Sequence, residues 1–174
     1  MDWHTFFMGA AFLLVETKNI IQLSLLFGAT WIVNSVVFIS IFVMILIANL
    51  LVAKIRIAKV KPLFLCLIGA LVLNYFVPFS ALTLLSPLTR AFIGGVITAL
   101  PVLFSAFIFA TTFSQSPNAD VSLGSNILGA LLGGALEALS LAIGIKSLSL
   151  LAVAVYLLAW YTFTRQSHRR IAHG

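Results

Sequence analysis

Charge is what this sequence has least of. Its 174 residues include ten Lys or Arg and four Asp or Glu, 8% in all, where soluble domains carry roughly 25%. A chain this poor in charge and 62% hydrophobic could not cover a water-facing surface, which excludes a soluble globular fold. There is one cysteine, Cys66, inside an apolar run, so no internal disulfide can form. No set of His, Cys and carboxylate residues has metal-ligand spacing. His4 is terminal, and His168 and His173 belong to a basic tail. Serines and threonines abound, yet none has a histidine base near it. Gly129, Gly133 and Gly134 lie within a hydrophobic segment rather than between a strand and a helix, so they form no nucleotide fingerprint. The sequence therefore carries no sign of an enzyme, a metal or a cofactor. No stretch free of hydrophobic runs is long enough for a second, soluble domain.

What is present is a series of long apolar runs. Read with the rule that about 20 apolar residues cross the hydrocarbon core, they make six spans of about 18–27 residues. The first runs from about Trp3 to Phe27, with Asp2 as its N-cap and Trp3 at the interface. A short Gly28-Ala29-Thr30 turn leads to a second, Trp31 to Ala53, with Asn34 and Asn49 towards its ends. The third starts at Pro62, a first-turn proline, and runs to about Phe79, with Asn74 and Pro78 at its far end. The fourth runs from about Arg90 to Phe113 and carries Pro101, which removes a backbone donor and predicts a kink. The fifth runs from about Leu123 to Ile143, and the sixth from about Ser147 to Phe163. The expected architecture is all-α: one six-helix transmembrane domain over 1–164 and a frayed basic tail over 165–174.

The net charge of +6 does not point to nucleic acid. Lys54, Arg56, Lys59 and Lys61 form one basic cluster, and Arg165, Arg169 and Arg170 another, each beside an apolar span, where topology determinants occur. Six spans with both ends in the cytoplasm put these seven inside and leave only Arg90 and Lys146 outside. Membrane lipids are the first expected partners, through anionic head groups. Met1-Asp2-Trp3-His4 lacks a basic n-region and no A-x-A-like site follows, so the first span is expected to be retained.

Two groups of residues depart from plain hydrophobicity. Glu16-Thr17-Lys18-Asn19 interrupts the first span near its middle, where ionisable groups are costly and usually functional. Glu16 and Lys18 are two apart, on nearly opposite sides of a helix, so they do not pair with each other. The span either finds partners on other helices or breaks into two half-helices there. Glu137 of the fifth span is the expected partner of Lys18, and Glu16 is expected to be held by backbone or amide donors. The fifth span also carries two adjacent small-residue rows. Ser125, Gly129 and Gly133 lead to Glu137 at four-residue spacing, and Asn126, Ala130 and Gly134 run beside them. Such rows let a second helix backbone approach closely.

At these same residues the chain resembles a known group. Asp2-Trp3-His4, the run Phe6 to Lys18, the run Leu25 to Val37, and Gly124 to Glu137 look like the C-terminal membrane region of bacterial spermidine-synthase-like membrane proteins. The resemblance implies a membrane helix module similar to a major-facilitator half, located in the bacterial inner membrane. Family members join such helices to a Rossmann-type transferase domain, which these 174 residues do not contain. The resemblance thus gives Glu16, Lys18 and Glu137 as the polar centre of the region without assigned chemistry.

Two functions fit these observations. One is a non-catalytic membrane subunit or scaffold that packs against other membrane protein subunits or further copies of itself, on the strength of the glycine-rich face. The other is a half-transporter that moves a small polar or charged solute after oligomerisation, with Glu16, Lys18 and Glu137 at its centre.

Overall fold

A computed structural model describes residues 1–28, 31–54 and 60–172. Among these, every regular element is helical: α1 (Trp3–Phe27), α2 (Trp31–Lys54), α3 (Lys61–Phe76), a 3-10 turn (Phe79–Leu84), α4 (Pro87–Ser114), α5 (Ala119–Glu137), a single-turn α6 (Ser140–Ile143) and α7 (Ile145–Ala172). The all-α bundle expected from the apolar runs is what the chain forms. Four of its helices are long and apolar enough to cross a membrane: Trp3–Phe27, Leu88–Ser114, Ala119–Glu137 and Ile145–Gln166. The chain is a membrane protein with transmembrane helices.

Of the remaining two expected spans, α2 (Trp31–Lys54) has 24 residues and α3 (Lys61–Phe76) is shorter, with 16. In α3 the reason is local. Pro78 disfavours helical backbone at the residue before it, and Val77 is extended at φ −66°, ψ 120°. The helix therefore stops at Phe76, after 16 residues that rise about 24 Å against a core of about 30 Å. The fifth apolar run, expected to continue to Ile143, ends as α5 at Glu137. There the chain tightens to three-residue bonds, Ala138 N–H to Ala135 O and Leu139 N–H to Leu136 O. Gly144, at φ +82°, closes α6 with a bond to Ser140 O. α7 then runs through the basic segment, so residues 164–172 are helix and not a frayed tail. Of the two alternatives for the first span, partners on other helices or a break at Glu16 to Asn19, the break does not occur, since α1 is one helix through that stretch.

The chain divides into two compact units. One comprises Met1–Leu14 and Phe113–Gly174, the other Val15–Thr112. Both α1 and α4 contribute to each unit. The Gly28-Ala29-Thr30 turn and the basic residues Arg56 and Lys59 lie wholly or partly outside the described residues, as do the side chains of Asn34, His168, Arg169 and Arg170 and the whole of His173.

Candidate functional site

In the unit 15–112 the polar quartet is not turned outwards. Lys18 and Asn19 are almost fully buried, at 1% and 2% exposure, while Glu16 and Thr17 are half-buried. The Lys18 ammonium donates to Asn74 Oδ1 in α3. The partner expected for Lys18 was Glu137, but the described bond goes to Asn74, which in the sequence marks only the far end of the third span. Glu16 has no hydrogen-bond partner among the described residues, so the donors expected for it are not found. Glu137 lies half-buried at the end of α5, in the other unit.

Asn74 is itself 1% exposed, and its Nδ2 donates to Ile97 O at 3.3 Å. Ile97 is four residues before Pro101, which lies inside α4 and has no N–H to give that carbonyl. Asn19 Nδ2 donates to the next carbonyl, Thr98 O, at 2.9 Å. The Asn74 amide from α3 thus satisfies the carbonyl that the proline frees, the compensation that lets membrane helices keep such a residue, and the Asn19 amide from α1 adds a bond at the neighbouring carbonyl. Thr98 Oγ1 adds bonds to Gly94 O (2.8 Å) and Gly95 O (3.0 Å), a back-bonding pattern that bends helices. The sequence signal for a kink at Pro101 thus belongs to a braced segment, Gly94 to Pro101.

Arg90, at the start of α4, ties this unit together elsewhere. Its guanidinium donates to Leu26 O (3.4 Å) at the end of α1, and to Thr83 O (2.7 Å) and Leu85 O (3.2 Å) around the 3-10 turn. A cation at a helix C-terminus interacts favourably with its free carbonyls.

Beside the braced segment, α1, α2 and α4 line an apolar, half-open groove with a volume of about 490 Å³. Asn19, Ser40 and Thr98 are the polar residues in its wall. Asn19 Oδ1 is buried and accepts no hydrogen bond from the described residues.

The unit built from 1–14 and 113–174 contains a different arrangement. The small-residue face of α5 packs on α1 of the same chain. A Cβ at Gly129 would overlap the carbonyl of Phe6, and one at Gly133 the carbonyl of Ala10. On the other side of the seam, a Cβ at Gly9 would overlap the carbonyl of Asn126. Gly134 faces Leu13, whose Cδ2 would lie 3.2 Å from an added Cβ. Asn126 Nδ2 donates to Thr5 O at 3.1 Å. Ser125 and Gly129 are buried, and Ala130 is half-buried on the neighbouring row.

Asp2 closes one end of this seam. It caps α1, accepting from His4 N–H at 3.1 Å, and its own N–H donates to Ser125 Oγ at 2.9 Å. Its carboxylate also accepts from Ser122 Oγ (3.0 Å) in α5 and Gln166 Nε2 (3.1 Å) in α7. Burial opposes ionisation of Asp2, but the bonds from Gln166 and Ser122 outweigh it and hold the pKa below its ordinary 3.8. His4, read from the sequence as merely terminal, is 2% exposed. Its Nδ1–H donates to Ala159 O at 3.0 Å, a role fixed because a carbonyl can only accept.

The sequence signalled Lys18, Asn19 and the glycine rows by their rarity within apolar runs. It gave no special weight to Asn74, Arg90 or Thr98. For Asn74 and Pro101 a signal was present, since a proline within a span implies a free carbonyl and hence a donor nearby. Among the described residues no group of three or more His, Cys, Asp or Glu could hold a metal ion. The class these features define is a multi-pass, all-α membrane protein with a braced proline segment. Compared with protein-family models, curated proteins and solved structures, the chain matches none.

Proposed function

We propose that the chain is a transporter-type membrane domain, a six-span half that completes a permeation path by oligomerising with a second half. The observation that carries this reading is the buried Lys18–Asn74 bond, whose other end rests on the carbonyl opposite Pro101. An ionisable group inside a span is a functional-site hypothesis by default. Here it is connected, through one amide, to the segment of α4 least able to behave as a regular helix. A solute or ion that competes for Lys18 would also release Asn74 from Ile97 O. Such a link between an occupied site and a bendable helix is what alternating access requires. The resemblance to the membrane region of spermidine-synthase-like proteins supports the same architecture. The same resemblance implies a bacterial inner-membrane location, and the distribution of basic residues supports both ends in the cytoplasm.

Uptake into proteoliposomes tests the reading, with a panel of small cationic, anionic and zwitterionic solutes. At least one should accumulate, and its uptake should fall about tenfold or more in Lys18→Met and in Asn74→Leu, a loss of about 1.4 kcal/mol. Uptake of none of them, or uptake unchanged in both variants, rejects it.

A second reading, a non-catalytic membrane subunit, is favoured by α2. Its exposed apolar residues include Phe38, Phe42, Leu46 and Leu50, and among its described side chains only Ile41 and Ala48 are buried. The glycine face of α5, which first suggested a docking surface, is already covered by α1. A partner retained in mild detergent and lost when Phe42 and Leu46 are replaced by alanine would favour the subunit reading.

A further inference from the structure

We infer that Glu16 is a proton-binding site inside the membrane, the carboxyl through which the chain takes up and releases H+. Glu16 lies near the middle of the 25-residue helix Trp3–Phe27. At 1.5 Å per residue it is roughly 16–20 Å from either end, which places it near the centre of a hydrocarbon core about 30 Å thick. A bare carboxylate at that depth is costly and keeps its charge only with a partner.

No such partner is found. Among the described residues Glu16 makes no hydrogen bond, and no charged group of any helix acts on its carboxyl, Lys18, Tyr75 and Arg90 included. Lys18, two residues on, points to the nearly opposite side of α1 and is engaged by Asn74. Asn19, one turn on, has its amide on Thr98 O. Phe12, Leu13 and Ile20, the other neighbours on the face of Glu16, are apolar. A carboxyl that served only to hold helices together would be bonded, as Asp2 is to Ser122 and Gln166. Exposure separates Glu16 from its neighbours as well. Lys18 and Asn19 are closed off, whereas Glu16 is half-buried and can be reached from its open side.

An accessible acid with no other polar group on its face defines its ligand. A hard metal cation takes several oxygen ligands, and among the described residues no group of three or more His, Cys, Asp or Glu could hold a metal ion. A proton needs one oxygen, and it removes the charge that makes the position costly. Carboxyls inside spans serve proton relays for this reason. The inference deepens the transport reading, and rests on it only in making the proton the coupling ion.

The test uses the full chain in phosphatidylcholine liposomes and the lipid-soluble probe dicyclohexylcarbodiimide. A protonated carboxyl adds across one C=N bond of the probe, its proton going to nitrogen and its oxygen to carbon. The acyl group then shifts to nitrogen and leaves a stable N-acylurea, with nothing expelled. Peptide mass mapping of the wild type should place an adduct at Glu16. Its rate of formation should fall about tenfold or more between about pH 6 and pH 9, because only the protonated form reacts. Saturating sodium or potassium should leave that rate unchanged. Absence of an adduct at Glu16 overturns the proposal, and so does a rate indifferent to pH. Protection by sodium or potassium overturns it too, since the ligand would then be a metal cation. All three readings are made on the wild type, so none depends on a variant that folds. In the uptake assay, accumulation of a solute should respond to an imposed pH gradient and lose that response in Glu16→Gln. Uptake indifferent to the gradient overturns the coupling and leaves the transporter standing. Labelling of Glu16 without uptake of any solute keeps the proton site and rejects the transporter.

Discussion

In the unit formed by 1–14 and 113–174, Gly129 and Gly133 lie against the carbonyls of Phe6 and Ala10. In the unit 15–112, Gly95 lies beside open space. The same residue type thus serves close helix contact in one unit and leaves a groove in the other. The polar groups differ in a parallel way. Asp2 has its bonds completed by Ser122, Ser125, Gln166 and its own helix, whereas Asn19 keeps an unpartnered acceptor and Lys18 leans on one neutral amide. Polar groups that are fully satisfied rigidify a core, and those that are not mark where a ligand or a movement completes it. The α1–α5 seam is thus the closely packed, fully bonded part of the chain, and the braced part of α4 is where polar groups stay incompletely satisfied, the place at which the transport proposal puts its solute.

The largest effect should come from breaking the seam. Gly129→Val places a branched side chain on the Phe6 backbone, which cannot move as a side-chain tip can. We expect a loss of about 3 kcal/mol or more, or failure to fold, read by thermal unfolding in detergent. Gly124→Ala on the same helix, where an added Cβ meets nothing, should be neutral or slightly stabilising. If the two variants unfold alike, the seam does not hold this unit.

Next in size is the brace. Asn74→Leu leaves the Lys18 ammonium without its described partner and uncovers Ile97 O, and should cost about 2–4 kcal/mol. Adding Lys18→Met should recover part of that loss, because the uncompensated charge is gone. Pro101→Ala restores an N–H to Ile97 O and should make Asn74→Leu cheaper by about 1 kcal/mol. Strict additivity of Pro101→Ala and Asn74→Leu would show that Asn74 is not compensating for the proline.

Smaller still is the acid dependence of the Asp2 cap. The folded pKa is depressed, so the stability it contributes is fully present above the ordinary value of 3.8 and is lost as pH falls through the lower folded value. Asp2→Asn should flatten the acid side of a melting-temperature profile taken between about pH 5 and pH 2. A profile of unchanged slope would mean that Asp2 is not ionised in its cluster. The smallest effect is expected at Gly95→Ala, a gain of about 0.5–1 kcal/mol from helix propensity alone. A loss there would show that Gly95 is needed for packing after all, and would erase its contrast with Gly129.

Much of this was legible in the residues. The class followed from the scarcity of charge, because such a chain has too few polar groups to face water. The packing face of α5 was legible because helical spacing puts Ser125, Gly129 and Gly133 in one row. Pro78 and Gly144 act locally, so the helix ends near them follow from their own backbone limits. The partner of Lys18 was not legible. Carboxylates are few, and an argument from opposite charge led to Glu137, whereas a buried ammonium can also be held by an amide oxygen.

By itself, the sequence determined that the chain is an all-α membrane protein, where its α1 cap lies and which residues of α5 admit a close neighbour. These follow from composition, short-range sterics and helical period, which act within a few residues. Only the tertiary structure decided that α1 is what the glycine row receives. It alone decided that Asn74 and Asn19 reach the carbonyls around Pro101, and that Gly95 leaves a groove. Those facts depend on residues from 23 to 121 positions apart meeting in space, and a linear pattern carries the need for a partner without carrying its address.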